Sequence, residues 1–193
     1  MIDELGLPEN SIFVGMVGRY DLQKNHKGFI KTGKIVHHKF PNVHFILSGR
    51  DVSSTNITLV NAVKKNRLES VIHLLGYREN LADIYTALNI YVSASLFGEA
   101  FPLVLCEAMA CGTCVLGSDI EGISEVIENN KTGLLVEPNN SDELLNKILY
   151  LLPKKEKRLS MANEGLERVK KYDWKIVGKL YLNFYESLLN KSI

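Results

Sequence analysis

The sequence predicts an α/β protein built on a doubly wound parallel sheet, with a helical tail at its C-terminal end. Two observations point to this class. Short runs that are apolar on both faces recur along most of the chain, as they do in strands that helices cover on both sides. Helical segments separate these runs, and that alternation is typical of a parallel sheet.

Six short apolar runs are the candidate strands, and each is followed by a turn and a helical stretch. They span residues 12–17, 43–47, 71–74, 89–92, 114–117 and 133–136. The helical segments between them span about 28–38, 55–66, 81–87, 101–110 and 123–128.

Only helical patterns follow Pro138. Ser141 and the acids after it predict a helix N-cap, with that helix running to about Leu152. A charged helix then continues to about Lys171, and Asp173 can cap a last helix that is rich in apolar residues.

Composition favours one domain and excludes several classes of protein. Of 193 residues, 46% are hydrophobic and 23% charged, so the chain can bury roughly 70% of its unfolded surface without disulfides or a metal. We expect one domain over 1–193, with an α/β core at about 11–172 and a terminal helix at 173–193. The net charge of +1 argues against nucleic-acid binding.

The apolar runs are also too short to span a bilayer, and no signal peptide is visible at the start of the chain. Three cysteines in a chain of this size indicate reduced thiols and a cytoplasmic protein.

Two polar loops fall at the carboxyl ends of strands, where ligands bind in doubly wound sheets. The first, residues 18–28, contains Arg19 and Lys24, and the second, residues 95–102, contains Glu99. The two cations could neutralise a diphosphate, or they could be ordinary surface charge, which is our interpretation of Lys27.

The segment after Glu99 predicts a helix that is buried nearly all round, because Pro102 and Glu107 are its only residues that are not apolar. A buried carboxylate is costly without a partner, so Glu107 either meets a core arginine or backbone amide, or serves a ligand. Eight helical residues span about 12 Å, more than the roughly 5–9.5 Å between glycosidase carboxylates. That spacing suits the two ends of a long ligand, with phosphate at the helix N-terminus between them.

Four motifs in order resemble the family 4, or group 1, glycosyltransferases. They are Gly18-Arg19 with Lys24, Glu99-x7-Glu107 with the Ala-Met-Ala-Cys-Gly-Thr that follows, the segment 120–126, and the segment 131–136. The resemblance covers about residues 5–188 and is to the C-terminal, donor-binding half of the two-domain GT-B architecture, which is itself Rossmann-like.

The resemblance implies a role for each matching residue. Arg19 and Lys24 would grip the diphosphate of a nucleotide-sugar, Glu99 would bind hydroxyls of the transferred sugar, and Glu107 would bind the ribose. Arg19, Lys24 and Glu99 are thus the expected catalytic residues. The further donor-binding positions it implies are Gly18, Tyr77, Arg78, Phe101, Leu103 and Val104.

The sequence departs from the family pattern at Ala100, where glycine is commoner, and at Cys114, where proline is usual. The family reaction retains anomeric configuration, and no protein nucleophile is assigned. The chain lacks an Asp-x-Asp motif, so we expect no cofactor and no divalent metal.

Other motifs favour structural roles. Cys111 and Cys114 form a C-x-x-C at a helix C-terminus, where the helix dipole disfavours a thiolate, and no further zinc ligands lie nearby in sequence. The five histidines lack ligand spacing, and the glycines do not form G-x-G-x-x-G.

The expected function is therefore donor binding in a retaining glycosyltransferase of polysaccharide biosynthesis, with a UDP- or GDP-sugar as donor and a glycan or lipid-linked glycan as acceptor. The alternatives are a nucleotide-sugar 2-epimerase of GT-B fold and a non-catalytic nucleotide-binding module. We expect the partner to be an N-terminal acceptor domain, which could also hold the protein at the inner membrane. The terminal helix would cross to that domain and leave Tyr181, Phe184 or Tyr185 exposed, and 1–193 alone would transfer no sugar.

Overall fold

Six parallel strands form one sheet in the order β3-β2-β1-β4-β5-β6. The computed structural model describes residues 5–189, so the ends of the expected domain, 1–4 and 190–193, lie outside the described residues. The predicted fold class is confirmed. The strands are β1 (Ile12–Val17), β2 (Val43–Ser48), β3 (Ile72–Leu74), β4 (Ile90–Ser93), β5 (Val115–Ser118) and β6 (Gly133–Val136).

Helices follow each strand and cover both faces of the sheet. They are α1 (His26–Lys39), α2 (Ile57–Asn66), α3 (Ala82–Ala87), α4 (Leu103–Ala110), α5 (Ile123–Val126), α6 (Ser141–Leu151), α7 (Lys155–Val169) and α8 (Trp174–Leu189), with a 3-10 turn at Lys170–Tyr172 before the last. Within residues 5–189, no helix is both long and apolar enough to cross a membrane.

Two hydrophobic cores form because successive side chains of a strand point to opposite faces of the sheet. On β1, Val14 and Met16 join the core that α1, α2 and α6 cover. Phe13 and Val17 join the second core, together with side chains of α3, α4 and α5. The central strands are therefore apolar on both faces, as their sequence predicts.

Three helix boundaries test the sequence-based expectations. The prediction that Ser141 caps α6 is wrong, because Asn140 is the N-cap and its side chain accepts from the amide of Glu143 at 3.0 Å. Pro102, which falls within the predicted helical segment 101–110, lies just before α4 as its N-cap. The Asp173 cap is confirmed, since its carboxylate accepts from the Lys175 amide at 2.7 Å.

The terminal helix α8 has no buried residue along its length. The side chains of Tyr181, Phe184 and Tyr185 are 58%, 56% and 56% exposed. The prediction that at least one of these rings lies in an exposed apolar patch is therefore confirmed. Its crossing to a further domain stays a prediction.

Candidate functional site

The two polar loops meet at the carboxyl edge of the sheet because β1 and β4 are neighbouring strands. We call residues 18–25, after β1, the basic loop, and residues 94–102, after β4, the glutamate loop. Ligands bind at this edge in doubly wound sheets. The sheet order therefore brings together the two segments in which the sequence predicts a site.

The basic loop begins with a close approach between two backbones. The amide of Gly18 donates to the Ser48 carbonyl at 2.9 Å, and the amide of Tyr20 donates to the Arg50 carbonyl at 2.8 Å. Gly49 has a φ of +146°, and a Cβ there would collide with the Gly18 carbonyl. Glycine at position 49 thus lets the loop after β2 support the start of the basic loop.

Lys24 and Glu99 form an ion pair across the two loops. Their side chains are 18% and 10% exposed, so the pair is largely shielded from water. The hydroxyl of Ser95 donates to the same carboxylate oxygen of Glu99 at 2.7 Å. Two of the three residues predicted to be catalytic are therefore in direct contact.

Arg19 lies in the same loop as Lys24 but is exposed to solvent. Its side chain is 61% exposed, and its Nε is 3.3 Å from the Asp21 carboxylate. Its Nη2 donates to the side-chain oxygen of Gln23 at 3.4 Å. The guanidinium is thus oriented by two neighbours while its surface remains accessible to a ligand.

Gln23 and Gly122 also shape the site, although no sequence motif predicts a role for either residue. The side-chain amide of Gln23 bonds to the glutamate loop. Gly122 has a φ of +82°, and a Cβ there would collide with the Glu99 carbonyl. For Gln23, the available signal was a polar side chain directly before Lys24. Gly122 stands in the motif 120–126, but its contact with Glu99 depends on the order of the strands in the sheet.

The expectation that the helix after Glu99 is buried nearly all round is wrong. α4 packs one side against the sheet and its neighbours, and it leaves the other side in solvent. We call this side the open face of α4; its exposed residues are Phe101 just before the helix, Leu103, Glu107 and Ala110. The open face borders a cavity of about 670 Å³ that the end of α7 and the start of α8 complete.

Among residues 5–189, Glu107 has neither a core arginine nor a backbone amide as its partner. The hydroxyl of Tyr85 on α3 donates to its carboxylate at 3.0 Å. Burial raises the pKa of Tyr85, and the neighbouring Tyr91 and Glu107 raise it further, so the phenol remains a donor at neutral pH. The exposed carboxylate is thus oriented by a neutral, buried group.

The remaining predicted donor-binding residues divide between two places. Tyr77 is 72% exposed and, with Arg78, lines a cavity of about 320 Å³ in the turn after β3. Leu103 lies on the open face, and its amide already donates to the Phe101 carbonyl at 3.0 Å. Val104 is half-buried at the start of α4. Donor contacts at all of these positions stay predictions.

The cysteines are thiols at neutral pH, in keeping with the structural role that the sequence favours. Burial raises the pKa of Cys106 to about 11 and that of Cys114 to about 12, and it also raises the pKa of Cys111. Among residues 5–189, no group of three or more histidine, cysteine or acidic side chains is placed to hold a metal ion. The expectation that no divalent metal is needed is not tested by this geometry.

His26, directly after the basic loop, is 1% exposed. Neither ring nitrogen has a hydrogen-bond partner within the part of the chain that the structure describes, and the ring lies 5.3 Å from that of Tyr20, centroid to centroid. Burial lowers its pKa to about 4, the charge of Lys24 adds to that effect, and the Gly18 backbone and Asp21 oppose it. His26 is therefore a neutral, buried support for the basic loop rather than a surface histidine.

The chain is similar to known proteins both in sequence and in fold. The profile of the family described as "Glycosyl transferases group 1" matches residues 1–168. A curated relative, the N,N'-diacetylbacillosaminyl-diphospho-undecaprenol alpha-1,3-N-acetylgalactosaminyltransferase of Campylobacter jejuni, is 29% identical over 90% of this chain and 44% of its own length. The chain spans about half the length of the curated relatives it matches.

Solved structures agree with that match. Sucrose-phosphate synthase from Thermosynechococcus elongatus superimposes with a TM-score of 0.87 at 27% identity, over 98% of this chain and 48% of that one. The Anabaena protein HepE, in complex with UDP-glucose, superimposes with a TM-score of 0.80 at 25% identity, over 93% of this chain and 51% of its own.

Proposed function

On the premise that the chain belongs to the group 1 glycosyl transferases, we propose that it binds the nucleotide-sugar donor of a retaining glycosyltransferase. Arg19 and Lys24 bind the diphosphate and stabilise it as the leaving group, Glu99 binds hydroxyls of the transferred sugar, and Glu107 binds the ribose. The acceptor is a glycan or lipid-linked glycan, and its binding site belongs to a further, N-terminal domain.

The observation that carries this proposal is the contact between Lys24 and Glu99. A cation for the diphosphate and a carboxylate for sugar hydroxyls are held side by side by protein contacts alone. A donor has its diphosphate and its sugar joined by one bond, so the site needs these two groups close together. Preorganised charges of this kind act most strongly where water is excluded.

Two further observations support the choice of donor and the direction in which it lies. Glu107 is exposed and oriented by Tyr85 from the side of α3, while Tyr77 and Arg78 line the turn that precedes α3. We propose that the nucleoside lies between Glu107 and this turn. HepE binds UDP-glucose, and we propose UDP as the nucleotide on that basis.

The exposed face of α8 supports the proposal of a further domain. Trp174 is 78% exposed and Tyr181 58% exposed, which is more apolar surface than one helix usually leaves in water. Contact with the N-terminal domain would bury it. The chain alone then binds donor without transferring sugar, because it cannot hold an acceptor in reacting geometry.

Titration calorimetry with UDP tests the proposal. Arg19→Ala and Lys24→Ala should each weaken binding by about 1.5–3 kcal/mol, the range for hydrogen bonds to charged groups. Lys27→Ala is the matched control, since Lys27 is an exposed cation at the start of α1, and it should bind as the unaltered chain does. EDTA should have no effect. Binding that requires magnesium, or equal losses at Arg19 and Lys27, would refute the assignment.

A further inference from the structure

One side chain joins the basic loop to the glutamate loop. The Nε2 of Gln23 donates to the carbonyls of Phe97 and Gly98, at 2.9 and 2.7 Å. The backbone of the same residue takes part as well, because the Leu96 amide donates to the Gln23 carbonyl at 2.8 Å. Gln23 therefore makes three hydrogen bonds to the glutamate loop.

The other end of the Gln23 amide faces Arg19. Its side-chain oxygen accepts from Nη2 of Arg19 at 3.4 Å, and its backbone amide donates to the Asp21 carboxylate at 2.8 Å. Asp21 in turn contacts Nε of Arg19. One planar amide thus contacts an arginine with its oxygen and two carbonyls with its nitrogen.

The chemistry of this position requires a carboxamide. Two adjacent carbonyl oxygens need two N–H donors, which the –NH2 group of glutamine supplies, and the arginine needs an acceptor. An ionised glutamate of the same shape presents only acceptors to the two carbonyls. Gly98 has a φ of +68°, and a Cβ there would lie 3.3 Å from Nε2 of Gln23, so glycine leaves the amide room to approach.

These bonds lie next to the ion pair that carries the proposed function. Gln23 directly precedes Lys24, and Phe97 and Gly98 directly precede Glu99. We propose that Gln23 is a positioning residue that couples the diphosphate-binding loop to Glu99, so that recognition of the donor's sugar depends on it. This inference rests on the proposed function and deepens it.

The contacts that remain without Gln23 decide what its loss changes. Arg19 keeps Asp21, and Lys24 keeps Glu99, so binding of UDP, which ends at the diphosphate, should change less than twofold. The glutamate loop loses the two hydrogen bonds from the Gln23 side chain. Glu99 is then positioned less accurately, and its hydrogen bonds to the sugar should weaken. In Gln23→Ala, the ratio of the Kd for UDP to the Kd for UDP-glucose should fall about three- to tenfold, the loss expected for one or two neutral hydrogen bonds.

Titration calorimetry with UDP and UDP-glucose on the 193-residue chain measures this ratio. A merely structural role would weaken both ligands by the same factor and leave the ratio unchanged. In the Glu99→Gln background, Gln23→Ala should not lower the ratio further, because the group that Gln23 positions has already been altered. Additive losses, or an unchanged ratio in Gln23→Ala, would overturn the inference.

Two further variants distinguish the proposed effect from a general loss of folding. Gln23→Glu keeps the shape of the side chain and should lower the ratio as Gln23→Ala does. Asn42→Ala is the control, because Asn42 also joins two loops by an amide-to-carbonyl bond, to Asn10 at 2.9 Å, but at the opposite end of the sheet. It should leave the ratio unchanged, and a fall equal to that in Gln23→Ala would overturn the inference.

Selective labelling gives a direct readout, since Gln23 is the only glutamine in the chain. With 15N-glutamine, its side-chain –NH2 should shift on addition of UDP-glucose and much less with UDP. Equal shifts with the two ligands would overturn the coupling. If the unaltered chain binds neither ligand, the proposed donor is wrong and the inference falls with it, an outcome distinct from an unchanged ratio.

Discussion

The glutamate loop and the open face of α4 each present one carboxylate, and they hold it in opposite ways. Glu99 is 10% exposed and is paired with Lys24, with Ser95 and the backbone of Gly122 beside it. Glu107 is exposed and is held by the neutral Tyr85. The carboxylate of Glu99 is held by a neighbouring charge and shielded from water, whereas that of Glu107 is held by one neutral hydroxyl and faces solvent. The two glutamates therefore contribute differently to stability and to binding.

Removing the cation from the first glutamate should have the largest effect. Lys24→Met leaves the shielded carboxylate of Glu99 without its counter-charge and should lower the free energy of unfolding by about 3 kcal/mol, at the low end for a buried pair because both side chains keep some exposure. Glu107→Gln should change it by less than about 0.5 kcal/mol, as is usual for a surface substitution.

Urea unfolding followed by circular dichroism measures both values. The double variant Lys24→Met/Glu99→Gln should regain most of the loss, because no unpaired charge remains. If the double variant is less stable than Lys24→Met, the pair is not the source of the effect.

Acid should weaken the region around the basic loop through His26. Burial lowers the pKa of His26 to about 4 from an ordinary 6.5, so between those two values the unfolded chain binds the proton and the folded chain does not. The free energy of unfolding is then highest above pH 6.5 and falls as the pH drops towards 4, by up to about 3 kcal/mol.

The free energy of unfolding, measured at a series of pH values, should change less steeply with pH between 4 and 6.5 in His26→Asn than in the unaltered chain. Part of the slope should persist, because burial also lowers the pKa of His44 and His73. An identical slope in His26→Asn would mean that His26 is accessible to protons in the folded state.

The two glutamates should separate the two ends of the donor. Glu99→Gln should leave UDP binding unchanged and weaken UDP-glucose by about 1.5–3 kcal/mol, since only the donor carries a sugar. Glu107→Gln should weaken UDP and UDP-glucose by equal factors, because both contain the ribose. Calorimetric titration of both variants with both ligands measures this, and equal weakening of UDP in the two variants would reverse the assignment.

The sequence predicts the sheet and its loops well because the signals for them are local. Apolar runs mark β1 and β4, and the charges of Arg19, Lys24 and Glu99 stand in the loops that follow those strands. A family resemblance then orders these residues along one ligand. What the sequence shows is therefore the composition of each loop and the edge of the sheet on which it lies.

Contacts between loops could not be predicted in the same way. The bonds of Gln23 to Phe97 and Gly98 join residues more than 70 positions apart, and they depend on β1 and β4 being neighbours. The prediction that α4 is buried nearly all round is wrong for a related reason. An apolar helix indicates burial when considered alone, but the open face of α4 borders a cavity whose other walls are set by α7 and α8.

The smallest expected effect concerns the phenol that orients Glu107. Tyr85→Phe removes one hydrogen bond to an exposed carboxylate and should weaken binding of both UDP and UDP-glucose by about 1 kcal/mol, because the ribose contact loses its orientation. Tyr91→Phe is the matched control: its ring packs edge-on against that of Tyr85, but its hydroxyl donates to the Val17 carbonyl at 3.3 Å instead. It should leave both affinities unchanged. Equal losses in the two variants would mean that ring packing, rather than the bond to Glu107, sets the position of the carboxylate.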